Sequence, residues 1–194
     1  MTENLPNWFA SDGLKNFETH LVKEFSDKPI KSLQIGAYKG DASIWLYNNI
    51  LKKNSDSFLV DIDTWEGSEE PSHKNMNWGS IEETYDFVTQ EGQADGSIIK
   101  YKGTSDRFFK ENEKTFNFIY VDGDHTAYGV IKDAINSYEY LDVGGILAFD
   151  DYRWSAGLGP LKEPKMAIDF FSDIYRDKIK LIFRDYQCWY RKVA

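Results

Sequence analysis

Short apolar runs alternate along this chain with stretches whose apolar positions recur every three or four residues. Leu14, Phe17, Leu21 and Phe25 fall on one helical face, with Ser11 or Asp12 placed to cap it. After Pro29, KSLQIG reads as a buried strand that ends at Gly36. A second helix is predicted from Gly40 through Ile44, Trp45 and Leu51, followed by a strand, SFLVDI. Residues 64–79, TWEGSEEPSHKNMNWG, lack any period and read as a long loop. Ile81, Tyr85 and Val88 predict a helix, SIIKY a third strand, and residues 106–112 a short helix. FNFIYV is the fourth strand. Tyr128, Ile131, Ile135, Tyr138 and Leu141 mark a longer helix, GGILAF is the fifth strand, and residues 164–175 form the last helix. IKLIF and QCWYRKV, only a few residues apart, predict a closing antiparallel hairpin.

Five strands alternating with helices imply right-handed βαβ units, a parallel sheet and an α/β fold. No repeat, low-complexity tract or linker divides the chain, so residues 1–194 read as a single domain with an N-terminal helical segment, 1–28. Ligands of such sheets bind beyond the carboxyl ends of the strands. Gly36, Asp61 with Asp63, Asp122, and Asp150 with Asp151 each stand directly after a predicted strand. They should meet at one edge although more than a hundred residues separate the first from the last.

Composition narrows the ligand. The 194 residues carry a net charge of −9, and no basic run stands out. A phosphate backbone would be repelled, so nucleic acid is not an expected partner. A small molecule is, and the excess of carboxylates suits a bound cation. The single cysteine, Cys188, can form no internal disulfide, the start MTENLPNWFASDG lacks the pattern of a signal peptide, and no apolar run approaches a membrane span. These features predict a cytoplasmic protein without a membrane partner.

Four stretches at the expected edge carry chemistry, and each also has a plain structural reading. IGAYKG, residues 35–40, lets the backbone turn tightly and approach a ligand, yet it misses the dinucleotide spacing G-x-G-x-x-G and would also serve as an ordinary turn. Asp63, or failing it Asp61, ends the second strand about 20 residues beyond the glycine turn, where a carboxylate accepts ribose hydroxyls. Either could equally cap the next turn. VDGDH and FDDY bring Asp122, Asp150 and Asp151 together as hard oxygen ligands for Mg²⁺ or a similar divalent ion. Asp124 or His125 could then take a proton from a metal-activated hydroxyl, while Asp-Gly turns and a His-Thr cap are the plainer account. Finally, Trp65, His73, Met76 and Trp78 in the 64–79 loop could stack on a ligand as a lid, or simply pack the loop down.

LQIGAYKGDAS, VDIDTWEG, FNFIYVDGDHTAYGVIKDA and LDVGGILAFDDY, spanning Leu33 to Tyr152 in that order, resemble the class I S-adenosylmethionine-dependent methyltransferases. The group concerned includes metal-dependent sugar and macrolide O-methyltransferases and cephalosporin hydroxylase-associated proteins. The resemblance implies a Rossmann-like sandwich whose seven-stranded sheet is ordered 3-2-1-4-5-7-6, mostly parallel, with an antiparallel last strand and helices on both faces. It implies cofactor contacts from Gly36, Ala37, Tyr38, Gly40 and Ser43, with Asp63 on the ribose and Ser105 and Thr104 near the adenine. Asp122, Asp150 and Asp151 match acids that hold Mg²⁺ in metal-dependent relatives, and Asp124 matches a candidate base. Gln34 stands where the family has an acid that helps hold the cationic end of the cofactor, so it offers a hydrogen bond but no charge. The chain has no room for the N-terminal lid of larger relatives. That leaves the acceptor pocket to the 64–79 loop, to residues 153–163, or to a partner subunit in a homo-oligomer.

The resulting expectation is a methyltransferase acting on a small-molecule hydroxyl, of a sugar or a phenol, with a divalent cation. Two other classes compete. DIDTW and FDDY could be the acid motifs of a haloacid dehalogenase-like phosphotransferase with Asp61 as nucleophile, although that motif should follow the first strand. A non-catalytic binding protein with a degenerate site is favoured only by Gln34.

Overall fold

The computed structural model describes residues 5–68 and 70–194. The chain enters through a widened helical turn, Phe9–Gly13, that continues into α1 (Leu14–His20). Ser11 and Asp12, expected as caps, lie inside that turn. Asn7 does the capping instead, its Oδ1 accepting from the Ala10 amide at 2.8 Å. Then follow β1 (Lys31–Ile35), α2 (Asp41–Asn49), β2 (Phe58–Asp63), α3 (Trp78–Ala94), β3 (Ile98–Lys102) and α4 (Ser105–Glu111). β4 (Phe116–Val121), α5 (Ala127–Tyr140), β5 (Leu141–Phe149), α6 (Pro164–Ile174), β6 (Ile179–Arg184) and β7 (Cys188–Lys192) complete it. Asn77, Thr104 and Thr126 cap α3, α4 and α5 by accepting the amides of Ser80, Arg107 and Gly129.

The seven strands form one sheet in the order β3-β2-β1-β4-β5-β7-β6, with β7 antiparallel to both its neighbours. Both faces are covered, which is why the central strands read as unbroken apolar runs. Leu33, Ile35, Val60, Ile62, Ile119 and Val121 face a core shared with α4, α5 and α6. The alternating residues Leu59, Phe118, Tyr120 and Ala148 face a second core with Phe17, Leu21 and Leu46.

On α5 the buried positions are Ala127, Val130, Asp133, Ala134, Ser137 and Tyr138. Tyr128 and Ile135, expected on the inner face, are exposed. Small residues bring this helix close to the sheet, and the Tyr128 ring lies outside beneath Lys132. No described helix is long and apolar enough to cross a membrane.

Polar groups are also built into the second core. Asp61 is fully buried on β2, paired in register with Gln34 of β1, and accepts from Tyr85 Oη at 2.8 Å. Burial pushes its pKa up to about 7, against the opposing influence of the nearby Ser43 hydroxyl and the Tyr85 hydrogen bond. The unfolded chain releases this proton near its ordinary value of 3.8, while the folded protein keeps it. Stability therefore falls as pH rises from about 4 to about 7 and is level above that. Asp61→Asn, which retains an acceptor for Tyr85, should remove that decline. The full displacement bounds the gain at pH 8 at about 4 kcal/mol. Urea melts of both proteins across this range check it, and parallel pH curves would contradict it.

Candidate active site

Backbone hydrogen bonds align the strand ends. The Gly36 amide donates to Ile62 O at 2.8 Å, the Asp122 amide to Ile35 O at 2.8 Å and the Asp150 amide to Val121 O at 2.9 Å. The carboxyl ends of β2, β1, β4 and β5 therefore step along one edge. Over this edge lies a cavity of about 750 Å³. Its wall includes Gly36, Tyr38, Asp63, Thr104, Ser105 and Asp122, together with Asp124, His125, Asp150 and Asp151.

The glycine turn is tight because the sheet crowds it. Gly36 has φ 90°, and a Cβ there would sit 1.9 Å from the carbonyl oxygen of Asp122. Tyr38, at φ 49°, is held by Asp63, whose Oδ2 accepts the Tyr38 amide at 2.8 Å and whose Oδ1 accepts the Trp65 amide at 2.8 Å. Burial raises the pKa of Asp63, and these amides work against the rise. Ala37 and Gly40 of this turn, and Gln34, Ser43 and Asp61 beside it, are not part of the cavity wall. Gln34 Nε2 donates to Gly36 O at 3.0 Å and steadies the turn from below. Gly40 packs against Val88, Tyr85 and Thr89 of α3. The depth of Asp61 leaves no route for it to act as a phosphoryl nucleophile, and the glycine turn occupies the end of β1 where that class needs its acid motif.

At the acidic end, neighbouring aspartates take different directions. Asp150 turns inward, taking the Tyr120 hydroxyl on Oδ2 and the Asp151 amide on Oδ1. Asp151 adopts φ 58° and turns outward, where its Oδ1 accepts Tyr186 Oη at 2.9 Å. Its Oδ2 lies 2.9 Å from His125 Nε2. On the other side of that ring, Nδ1 stands 3.1 Å from Glu70 Oε1. Burial alone would lower the His125 pKa, but Asp151 and Glu70 outweigh it and push it up to about 11. His125 is thus an imidazolium clamped between two carboxylates, with Trp154 against its face at 4.8 Å.

Burial and the charges of Asp150 and Asp151 push Asp122 well above the usual carboxylate range. Burial, then Asp151, raises Asp150 to about 7. Among the described residues, Asp122, His125 and Asp151 offer ligand atoms within 4.8 Å of one another. Asp150 is committed elsewhere, and His125 occupies the third position of that set. Asp124 is exposed on the wall and accepts both the amide and the hydroxyl of Thr126, at 2.8 and 2.9 Å.

A family model described as a methyltransferase domain matches residues 33–152. The chain belongs to that family. No curated protein sequence matches it. Solved methyltransferases share the fold. An O-methyltransferase from Bacillus cereus, in complex with SAH, superposes with TM-score 0.68 at 14% identity over 97% of this chain and 85% of that one. The O-methyltransferase NovP gives TM-score 0.68 at 19% identity over 94% and 81%. A structure from Clostridium thermocellum named as a candidate rRNA methylase gives 0.69 at 11% over 94% and 97%. Identities this low establish the shared fold and leave the acceptor open.

Several wall residues of this methyltransferase domain gave no sequence signal as site residues. Glu70 lies in the polar 64–79 loop and Tyr186 in the β6–β7 turn, where no periodicity marks a side chain as inward. Glu69, in the same loop, lies outside the described residues. Asp133 was detectable, because a carboxylate three residues from Val130 and one from Ala134 falls on the buried face of α5. It accepts Ser105 Oγ at 2.5 Å, and burial raises its pKa to about 7. In the loop, Trp65 is buried against Ala37, Ile81 and Tyr85 and donates Nε1 to Tyr38 O at 2.8 Å, so it packs the loop down. Trp78 lines the cavity beside Tyr38.

Proposed function

We propose that this methyltransferase moves the methyl group of S-adenosylmethionine to a hydroxyl oxygen of a small sugar or phenol, with a divalent cation such as Mg²⁺ at the acidic edge. The observation that carries this reading is the placement of Asp122, His125 and Asp151 on the same cavity wall as Gly36 and Asp63.

The wall suits the cofactor. The cavity volume lies within the usual range for small-molecule sites. Asp63, held by the Tyr38 and Trp65 amides, lines the cavity where a ribose hydroxyl would reach it. Ser105, Thr104 and Asp133 line the same cavity and would face the adenine. S-adenosylmethionine supplies an already electrophilic methyl, so the protein's work is to align the acceptor and take its proton.

The donor set also suits a cation. Burial and the neighbouring carboxylates disfavour the ionised form of Asp122, a cost that positive charge would offset. Asp122 and Asp151 are ordinary ligands for a divalent ion, and His125 would join them on giving up its proton. Such an ion lowers the pKa of a bound hydroxyl. Asp124, exposed beside the cluster, is the group in this chain placed to accept the released proton. As clamped here, His125 orients Glu70 and Asp151 and cannot itself act as a base. NovP and the Bacillus cereus protein are named as O-methyltransferases, which supports an oxygen acceptor. The net charge of −9 and the carboxylates on the wall disfavour a nucleic-acid acceptor.

Calorimetric titration of S-adenosylhomocysteine into the protein, with Mg²⁺ and with chelator, tests the reading. Binding should be at least about tenfold weaker in Asp63→Ala, a loss of one good hydrogen-bonded contact. A folded wild type that binds no S-adenosylhomocysteine under either condition would refute it.

A further inference from the structure

α6 has two apolar faces. Pro164, Ala167, Ile168 and Phe171 are buried against the sheet. Met166, Phe170 and Ile174, spaced four residues apart, form a second stripe that is 42%, 58% and 52% exposed. Leu161, 70% exposed, extends it from the Pro160–Lys162 turn that packs on α6. Other exposed apolar residues, such as Phe87 on α3 and Val143 on β5, sit on separate elements. This stripe plays no part in the cavity.

We propose that this face of α6 is the contact surface for a second copy of the same chain, packed antiparallel across a two-fold axis at Phe170. Three features favour a copy over another occupant. The stripe is nearly its own complement under a two-fold axis, which sets Met166 against Ile174 of the second copy and Phe170 against its equivalent. The charges flanking it are complementary in the same sense. Lys162 and Lys165 stand at its start, and Asp169, Asp173 and Asp177 toward its end. Antiparallel pairing brings each basic end toward the acidic end of the other helix. Lys165 already pairs with Asp169 at 2.5 Å within the chain, so the interface would extend that pair into a network. The area is also adequate. Four side chains at these exposures offer on the order of 500 Å² per copy, the upper range of the largest patch on a monomer. Two copies would bury on the order of 1,000 Å², the lower bound for a specific interface. Spacing by four residues favours ridge-into-groove packing, with helices crossing at about −50°.

Sedimentation equilibrium of the full chain should give twice the 22.5 kDa chain mass at micromolar concentration. Phe170→Glu, on an exposed side, should leave the circular dichroism unchanged and weaken association at least about tenfold. The axis is tested separately by Phe170→Cys, which should cross-link as a dimer under diamide, whereas Met166→Cys and Ile174→Cys alone should not. Cys188 is buried and does not compete. A monomeric wild type would overturn the proposal, as would a dimer indifferent to Phe170→Glu. A monomer that bound phosphatidylcholine vesicles through Phe170 would overturn it too and assign the stripe to a lipid surface. None of these outcomes depends on the methyl-transfer reading.

Discussion

Gly36→Ala is expected to destabilise the protein by about 2–5 kcal/mol, the sum of a left-handed backbone penalty and a steric overlap that cannot relax. The new Cβ would meet Asp122 O at 1.9 Å, Asp122 C at 2.5 Å and Gly123 Cα at 2.9 Å, all of them backbone atoms. Neither side can retreat cheaply. Gly36 is tied to Ile62 O, and the Asp122 amide to Ile35 O, both at 2.8 Å. Moving either breaks the ladder that lines up the ends of β1, β2 and β4. Gly96 provides the control. It has φ 80°, but its Cβ would meet nothing within 4 Å. Gly96→Ala therefore carries only the conformational term, about 1–2 kcal/mol. Urea melts of the two variants separate close approach from backbone geometry. Equal losses would mean that contact with Asp122 does not constrain the turn.

That contact also shows why the site edge was legible in the sequence. A strand buried on both faces must be apolar throughout, so its end is marked by the first glycine or acid. Gly36, Asp63, Asp122 and Asp150 all carry that mark, and the parallel topology brings them together. Direction was harder to read. Asp61 and Asp63 share a face of β2 and differ only in depth, so one becomes core and the other cavity wall. Asp150 and Asp151 are adjacent, and the left-handed backbone of Asp151 sends their carboxylates opposite ways. On α5, large residues suggested one face, while close packing on the sheet selected Ala127, Val130 and Ala134. The clamp of Glu70 on His125 joins a loop to a strand end, and no local pattern encodes such a pairing.

Gln34 has an account in the structure as well. Its register partner is the buried Asp61. A carboxylate at position 34 would add a second acid beside one that already holds its proton to about pH 7. The amide avoids that repulsion and still donates to Gly36 O.

Asp151→Asn is expected to lower divalent-cation affinity at least about 100-fold, because it removes a charged ligand from a set of three and leaves the others poorly compensated. Its second expected effect is on His125. With Asp151 gone, Glu70 alone opposes the burial of the imidazolium, and the His125 pKa should fall from about 11. In the wild type this pair contributes fully below pH 6.5, and the contribution is lost as pH rises toward about 11. In the variant the loss should be complete at lower pH, with a stability difference at neutral pH of about 3–5 kcal/mol. The protein has three histidines, so NMR titration in chelator can follow His125 apart from His20 and His73. Calorimetry with Mn²⁺ follows the metal, and proton release on binding should accompany displacement of the imidazolium proton. An unchanged His125 titration would mean that Asp151 does not hold the ring. Unchanged Mn²⁺ binding would place the cation away from this edge, and the deprotonation of the acceptor would then rest on Asp124 alone.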